Sequence, residues 1–462
     1  MGVNFSPFEI GRRALRASQL GLAVTGQNIA NVNTAGYSRQ SVMLSASPAA
    51  NGNLGLVGQG VTIDGVRQFR DRFVESRLQT ETSIAGRLTA ERDALFPVDG
   101  VFNEANANGI NAAMNSFFGS FTTLEANPSS LALRNDVVAK ADAMTNAFAS
   151  TRARLVQIRS DGDTALRETA QQLNGIASQI ADLNGRIANA ENSGGTASEL
   201  RDQRDLLARQ AAELSGARSL EGPEGMLTLT LADGQALVTG VHTAAIEVQS
   251  TPPDGLSSLT LNGQPASIAE GKLRGLQNAI STIGSDLTAL DDLAASIADR
   301  VNELHTSGTD LNGNAGVNFF AVPASGPITA ANFKVSAAIK ADVKLIVSSP
   351  AAPPLTSATI AGAIGALLTE PTSQAGSRSG SFSSIYGSIV ADAGRGVKAA
   401  DDALATQQAI LAQANAQRDS VSGVSLDEEA INLLQFQKSY EAAARFLKIA
   451  DDLTQTILSL GQ

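Results

Sequence analysis

The chain has 462 residues, 43% of them hydrophobic, and its 45 acidic against 34 basic side chains give a net charge of -11. That balance argues against nucleic acid or an anionic membrane as the main partner, and no apolar run approaches the roughly 20 residues that cross a bilayer. Zero cysteines exclude disulfides, thiolate metal sites and cysteine nucleophiles, and His242 and His305 are the only imidazoles.

Aromatic residues make up only 4% and Trp is absent, a composition that suits long helices packed closely through small side chains. The N-terminal stretch lacks a continuous apolar core and a small-residue cleavage site, so no cleaved secretory peptide is expected. The first helix is predicted to begin at Ser6, with Pro7 at its first position, Glu9 completing a capping box, and Phe5 and Ile10 as a hydrophobic staple. Phe8, Leu15, Leu22 and Ile29 recur every seven residues, with the mostly small Gly11, Ser18, Thr25 and Val32 between them. This is a heptad seam whose small residues permit close helix approach.

The text then turns polar. Asn28, Asn31 and Asn33 favour leaving the helix through local side-chain hydrogen bonds, and Gly36 can take a positive φ. Alternation of Val61, Ile63 and Val66 predicts a short strand or hairpin, and a helix is predicted over 71–94, stopping before Pro97. Helical text returns at 110–124, with Phe117, Phe118 and Phe121 as core, and after Pro128 as far as Asn192. Ser193-Gly194-Gly195 breaks it, and the helix of 199–214 that follows carries charges that read as a solvated or intersubunit face.

From Gly222 to Gly271 the period is two: Leu227, Leu229 and Leu231 alternate with threonines, while Asp233-Gly234 and Asn262-Gly263 mark turns. Strands are also expected near 244–248 and 259–261. Lys272 opens a helix with the most regular seam in the chain, from Leu273 to Leu304. Residues 328–349 mix strand and helix signals and receive no assignment, and a break follows at 350–354. Short helices are expected near 360–368 and 382–394, then a separate Ala-rich helix over 396–419.

The closing helix runs from Ser425, a capping residue, to Leu460; Asp427, Glu428 and Glu429 suit its positive end. Leu426 leads into Leu433, Phe436, Tyr440, Ala443, Leu447, Ala450, Thr454 and Ile457 at alternating spacings of three and four. Such a helix spans roughly 50 Å, and burying its large apolar residues offers on the order of 10 kcal/mol. A lone helix cannot collect that energy; the seam of Phe8, Leu15, Leu22 and Ile29 is its candidate partner.

Motifs that could carry chemistry are weak. Asp310, Asn312 and Asn314 match the start of a calcium loop, but Ala315 and Ala321 occupy the positions of the expected Gly and bidentate Glu. Gly394-Arg395-Gly396 fits a loose dinucleotide fingerprint, yet lies between helices rather than after a strand. His305 ends a helix, where its charge could complement the dipole. The acid pairs Asp291-Asp292, Asp401-Asp402 and Asp451-Asp452 read as solvent-facing. No catalytic, metal or cofactor residue is predicted.

Two terminal arrangements carry a resemblance. Asn28-Ile29-Ala30-Asn31-Val32-Asn33-Thr34-Ala35-Gly36-Tyr37, continued by Ser38-Arg39-Gln40, resembles the N-terminal signature of flagellar rod, hook and hook-associated proteins, and its Tyr-Ser-Arg-Gln ending is most similar to the hook-associated protein 1 family. Residues 422–445 resemble that family's C-terminal signature, with further likeness at 199–214 and in the loop ending at Phe319-Phe320. Within the motif, Asn28, Asn31, Asn33, Thr34, Gly36 and Tyr37 are the positions carried over. The expected fold is mainly α with a β-rich insertion (α+β). The N- and C-terminal helices pair as a coiled coil (1–45 and 422–462), an elongated helical-bundle domain is built from 46–220 and 272–421, and a small β domain lies at 221–271.

The resemblance implies a non-enzymatic structural subunit between hook and filament, self-assembling into a ring or layer. It also implies the hook protein below, hook-associated protein 3 above, a cytosolic export chaperone on the C-terminal helix, and export to the extracellular flagellum through the flagellar type III apparatus. The expected assembly interface is Phe8, Leu15, Leu22, Ile29, Leu426, Leu433, Phe436, Tyr440, Leu447 and Ile457, with the terminal seams poorly ordered until assembly. Two rivals stand beside this reading. One is another axial component, such as hook-associated protein 3 or a flagellin; the other is an extracellular enzyme whose catalytic groups lie in the insertion, which offers His242, Asp233 and Asp254.

Overall fold

A computed structural model describes residues 7–52, 55–102, 109–193, 196–222, 225–249, 257–351, 357–371 and 373–460, without the side chains of 50–52, 55–57 and 457–458. The expected Phe5–Ile10 staple, the Ser6 cap, the glycines of the 193–195 break, most of the 350–354 break and Asp254 lie outside the described residues.

Helix α1 (Pro7–Ala30) leads into an antiparallel hairpin of β1 (Gln40–Ala46) and β4 (Val61–Gln68), which pairs Gln40 with Gln68 and Ala46 with Val61. A smaller hairpin, β2 (Ala50–Gly52) with β3 (Gly55–Val57), sits between them. Helix α2 (Arg72–Phe102) continues through Pro97 instead of stopping before it. Proline removes one helical N–H, but Leu95, Val98 and Phe102 around it are all buried in the core, and their burial holds the last turn in place.

Helices α3 (Ile110–Ala126), α4 (Leu131–Asn192), α5 (Ser198–Ser215) and α6 (Lys272–Thr306) complete the first part of the bundle. At 62 residues, α4 extends roughly 90 Å and threads two separate cores. One is centred on Phe117, Phe118 and Phe121, against Phe319, Phe320 and Phe382; their rings meet at centroid distances of 4.9 to 5.9 Å. The other packs Leu173, Ile176 and Ile180 of α4 and Leu273 of α6 against the β insertion. The insertion holds a sheet of β5 (Arg218–Glu221), β6 (Leu227–Thr230), β7 (Ala236–Thr239) and β8 (His242–Thr243) in that order. Beside it, β9 (Ile246–Gln249), β10 (Ser258–Leu261) and β11 (Gln264–Pro265) form a second sheet with β10 in the centre. Leu227, Leu229 and Leu231 point inward as the alternation predicts, and Asn262 and Gly263 both take positive φ in the two-residue turn.

After α6, a largely irregular segment carries, among the described residues, only α7 (Ala337–Ala341) and a 3-10 turn at Val343–Leu345, followed by α8 (Thr359–Ala366) and the hairpin β12 (Ser373–Ala375) with β13 (Arg378–Gly380). Helix α9 (Phe382–Ser422) is one continuous helix where two were expected. Each of Gly394 and Gly396 costs about 1 kcal/mol in a helix. Phe382, Ile385 and Ile389 anchor the helix on one side of them, and Ala400 and Leu404 on the other. Running through an unbroken helix, Gly394-Arg395-Gly396 cannot be the strand-to-helix turn that a dinucleotide phosphate needs. The closing helix α10 (Leu426–Leu460) starts where predicted, with Glu428 N–H donating to Ser425 Oγ at 3.5 Å.

Three charge readings change in the structure. His305 is fully buried: Nδ1 bonds Val317 O at 2.5 Å and Nε2 accepts the Val347 N–H at 2.9 Å. Burial pushes its pKa down to about 4, so it is neutral and contributes no charge to the helix end. Asp291 is not solvent-facing; it pairs with Arg152 at 2.9 Å and accepts the Ala330 N–H at 2.8 Å. In α5, Asp202 and Arg204 are buried rather than solvated.

Candidate assembly site

The two ends of the chain meet. α1 and α10 pack antiparallel: Gly11 lies against Leu447, Gly21 against Phe436, and Asn28 against Glu429. A Cβ on Gly21 would stand 2.4 Å from the Phe436 ring, and one on Gly11 2.6 Å from Leu447 Cδ2. A side chain at either position would force Leu447 or Phe436 to shift, and its absence permits the close approach. The buried stripe of α1 is therefore made mostly of small residues: Gly11, Ala17, Ser18, Gly21, Val24, Thr25 and Asn28. The Ser18 hydroxyl is satisfied within the helix by Ala14 O at 2.9 Å. Leu15, Leu22 and Ile29 flank this stripe half-buried, and Phe8 is exposed.

On α10, Leu433, Phe436, Tyr440 and Leu447 are half-buried and Ala443 and Ala450 fully so, whereas Leu426 is exposed; the side chain of Ile457 lies outside the described residues. A second row, Ile431, Leu434, Phe446, Ile449, Leu453 and Leu460, is exposed.

The pair is latched at its base. Asn28, 1% exposed, uses its whole amide: Nδ2 donates to Gln40 O at 2.8 Å and Glu429 Oε2 at 3.1 Å, while Oδ1 accepts the Tyr37 hydroxyl at 2.8 Å and the Gln40 N–H at 3.0 Å. Glu429, also 1% exposed, accepts from Arg39 Nε at 2.8 Å, and Arg39 Nη1 pairs with Glu428 at 2.7 Å. A buried carboxylate is tolerated only with such partners. The Arg39 N–H reaches Ser422 O at 2.9 Å, and Arg418 of α9 donates to Tyr37 O at 2.9 Å and pairs with Glu75 of α2 at 3.3 Å. From α5, Asp202 accepts the Ser38 N–H at 3.2 Å.

The motif residues take distinct places here. Asn31 closes the end of α1 by donating to Gln27 O at 3.0 Å, and Thr34 donates to Asn31 Oδ1 at 3.1 Å. Gly36 holds φ +83 with the Arg209 guanidinium 3.1 Å from where a Cβ would be. Asn33 is exposed. Burial, helped by the carboxylates of Asp202, Glu199 and Glu429, pushes the Tyr37 pKa up to about 12, so its hydroxyl remains a donor; burial raises Asp202 to about 6. Arg39, Gln40, Asp202, Arg418 and Glu429 were not predicted as site residues. Only the presence of Arg39 and Gln40 within the motif hinted at them, because partners hundreds of positions apart leave no local pattern.

This arrangement is a latch between the two ends of the chain. Among the described residues no group of three or more His, Asp or Glu side chains could hold a metal, and no helix is long and apolar enough to cross a membrane. Asp310 spends Oδ1 on the Asn312 and Asn314 N–H groups of its own loop, both at 2.8 Å. In the insertion, Asp233 caps a turn by accepting the Gln235 and Ser267 N–H groups, and His242 is exposed on β8.

Known proteins resemble this chain. A family model described as the flagellar hook-associated protein FlgK helical domain matches residues 95–320, one described as flagella basal body rod protein matches 8–37, and one described as flagellar basal body rod FlgEFG protein C-terminal matches 416–460. Flagellar hook-associated protein 1 of Bacillus subtilis (strain 168) is 29% identical over 507 residues, covering 99% of each chain. Its namesake in Escherichia coli (strain K12) is 25% identical, covering 96% of this chain and 98% of that one. The solved structure of the flagellar hook junction protein FlgK from Burkholderia pseudomallei superposes with a TM-score of 0.64 at 16% identity, covering 75% of this chain and all of that one. It establishes likeness of fold.

Proposed function

We propose that this chain is a member of the flagellar hook-associated protein 1 family, which it resembles over nearly its full length, and that it is a structural, non-enzymatic subunit of the bacterial flagellum that joins hook to filament. The observation that carries this reading is the latched antiparallel pair of chain ends, which leaves an apolar row along α10 uncovered. The seam of Leu433, Phe436, Tyr440 and Leu447 satisfies α10 within one chain. The outer row, from Ile431 to Leu460, and the exposed Phe8 supply the surface for neighbouring subunits in a ring or layer. A large exposed apolar row marks a protein contact.

On this reading the hook protein lies below and hook-associated protein 3 above, and a cytosolic chaperone covers α10 before the unfolded chain passes through the flagellar type III apparatus. Deleting the gene tests it. Hooks should form without filaments, with flagellin released into the medium, and the wild-type gene should restore filaments. Normal filaments on the deletion strain would refute the junction role.

A further inference from the structure

Away from the latch, a cleft of about 440 Å³ opens between the first turns of α2, the helix α5 and the edge strand β5. Five guanidinium groups, from Arg70, Arg72, Arg201, Arg204 and Arg209, face only three lining carboxylates, from Glu75, Asp205 and Glu221. The cleft is thus cationic in a chain whose net charge is -11. Internal pairing uses much of that charge: Arg70 bonds Asp205, Arg72 and Arg204 each reach Glu221 at 3.3 Å, and Arg201 pairs with Glu191 at 2.8 Å and also with Glu221.

The remainder is unspent. The Arg204 side chain is 1% exposed and its Nη atoms donate to Asn184 Oδ1, Gly225 O and Glu221, while its buried Nε, 3.8 Å from Asp205, makes no hydrogen bond, and neither does the buried Nε of Arg209 further along α5. Burial lowers the pKa of both groups, a penalty that an incoming anion offsets. At the mouth, the exposed Arg72 reaches Glu221 at 3.3 Å and Leu220 on β5 is 70% exposed; Phe73, next to Arg72 in sequence, is 87% exposed. Guanidiniums that outnumber the carboxylates lining their cleft select an oxyanion, and carboxylate is the one a protein carries. Exposed Phe and Leu beside them select an apolar neighbour, which a free anion does not provide.

We propose that this cleft receives an acidic, apolar-flanked surface segment of a second copy of this chain, as a contact between subunits additional to the terminal helices. The inference rests on the assembly role above. An array of identical copies sets the cleft against surfaces that are acidic on average, and complementary charge fixes register between them.

Because the chain lacks cysteine, a Ser76→Cys variant on the exposed cleft rim places a single photo-crosslinker there in assembled flagella. The expected product has twice the chain mass and contains peptides of this chain alone. Its yield should fall at least fivefold with Phe73→Ser/Leu220→Ser, two exposed positions whose replacement leaves the monomer's melting temperature unchanged. A yield unaffected by that pair, or a product only with another protein, overturns the proposal. So does a missing dimer band when immunogold finds the subunit at hook ends. Stabilisation of the monomer by inorganic phosphate without any dimer product assigns the cleft to a free anion and also overturns it. Absence of the subunit from hook ends overturns the junction role, and the cleft contact with it.

Discussion

The Asn28 amide donates to the Glu429 carboxylate at 3.1 Å across 401 positions of sequence. Through it the exit of the first helix is tied to the first turn of the last, and Tyr37 and Gln40 are bound to the same amide. An amide suits this position because it offers donors to a carboxylate and an acceptor to a hydroxyl at once. Neither Asp nor Leu, its closest matches in size, does both.

Asn28→Ala should therefore release the terminal pair. It strands the Tyr37 hydroxyl and the Gln40 N–H, and leaves Glu429 with Arg39 alone. At about 1–3 kcal/mol for each buried unsatisfied group, the expected loss is at least ~3 kcal/mol at the latch. Limited proteolysis should cut α1 and α10 at least tenfold faster while α3 to α6 stay resistant. Unchanged cleavage would mean that the latch does not hold the pair.

Gly21 gives a prediction of unusual sign. Gly→Ala in a helix normally gains about 1 kcal/mol. Here the new methyl meets the Phe436 ring at 2.4 Å, and overpacking costs about 1–3 kcal/mol. Gly21→Ala should therefore destabilise the α1–α10 pair, and Phe436→Leu should restore part of the loss in the double variant. Hydrogen exchange at Leu15 to Val24 measures both; additivity of the two substitutions would contradict the contact.

Much of this architecture could be read from period and spacing. The seams of α6 and α10, the alternation in the insertion and the Asn-Gly turn are local patterns, and local patterns survive into the fold. What could not be read depended on distant partners. Two glycines read as a break in α9, because the packing that overrides them comes from α2 and the Phe core. Arg204 and Asp202 read as part of a solvated or intersubunit face, because nothing in α5 reveals that Glu221 and Ser38 cover them. The motif from Asn28 to Tyr37 marked the latch without naming its other half, since Glu429 looked like one more acid in a helix's first turn.

Asp286 is predicted to make stability fall as pH rises. Burial, opposed by the Arg378 charge, raises its pKa from 3.8 to about 6, and its Oδ2 has no hydrogen-bond partner. Between those values the folded state holds a proton that the unfolded chain has released, so stability declines from pH 4 towards 6 and the full cost remains above that. Two units correspond to about 3 kcal/mol. Asp286→Asn should recover much of this in denaturant melts at pH 7.5 and gain nothing at pH 4.

His305 works in the opposite direction. Its pKa falls from 6.5 to about 4 on burial, so between these values the unfolded chain binds the extra proton and acid destabilises the fold, by about 3 kcal/mol in full. Its neutral ring bridges Val317 and Val347 beside the Phe319 ring. Loss of near-ultraviolet dichroism from the Phe core below pH 5, while far-ultraviolet dichroism persists, is the expected sign. His305→Gln should lower stability at pH 7 yet flatten this acid limb.

The two faces of α10 should separate pairing from assembly. Leu447 lies against Gly11 in the seam, so Leu447→Asp sets a charge where the helices meet. The monomer's terminal helices should become protease-sensitive, the middle of the chain should stay folded, and incorporation at the hook end should be abolished. Leu434 and Ile449 are exposed in the single chain. Changing both to Asp should alter monomer stability by less than about 0.5 kcal/mol each while reducing incorporation, counted by immunogold on hook ends, at least tenfold. If the outer-face variant assembles normally, the uncovered row is not the subunit contact. If Leu433→Asp and Leu447→Asp variants assemble normally as well, α10 is not the assembly element at all.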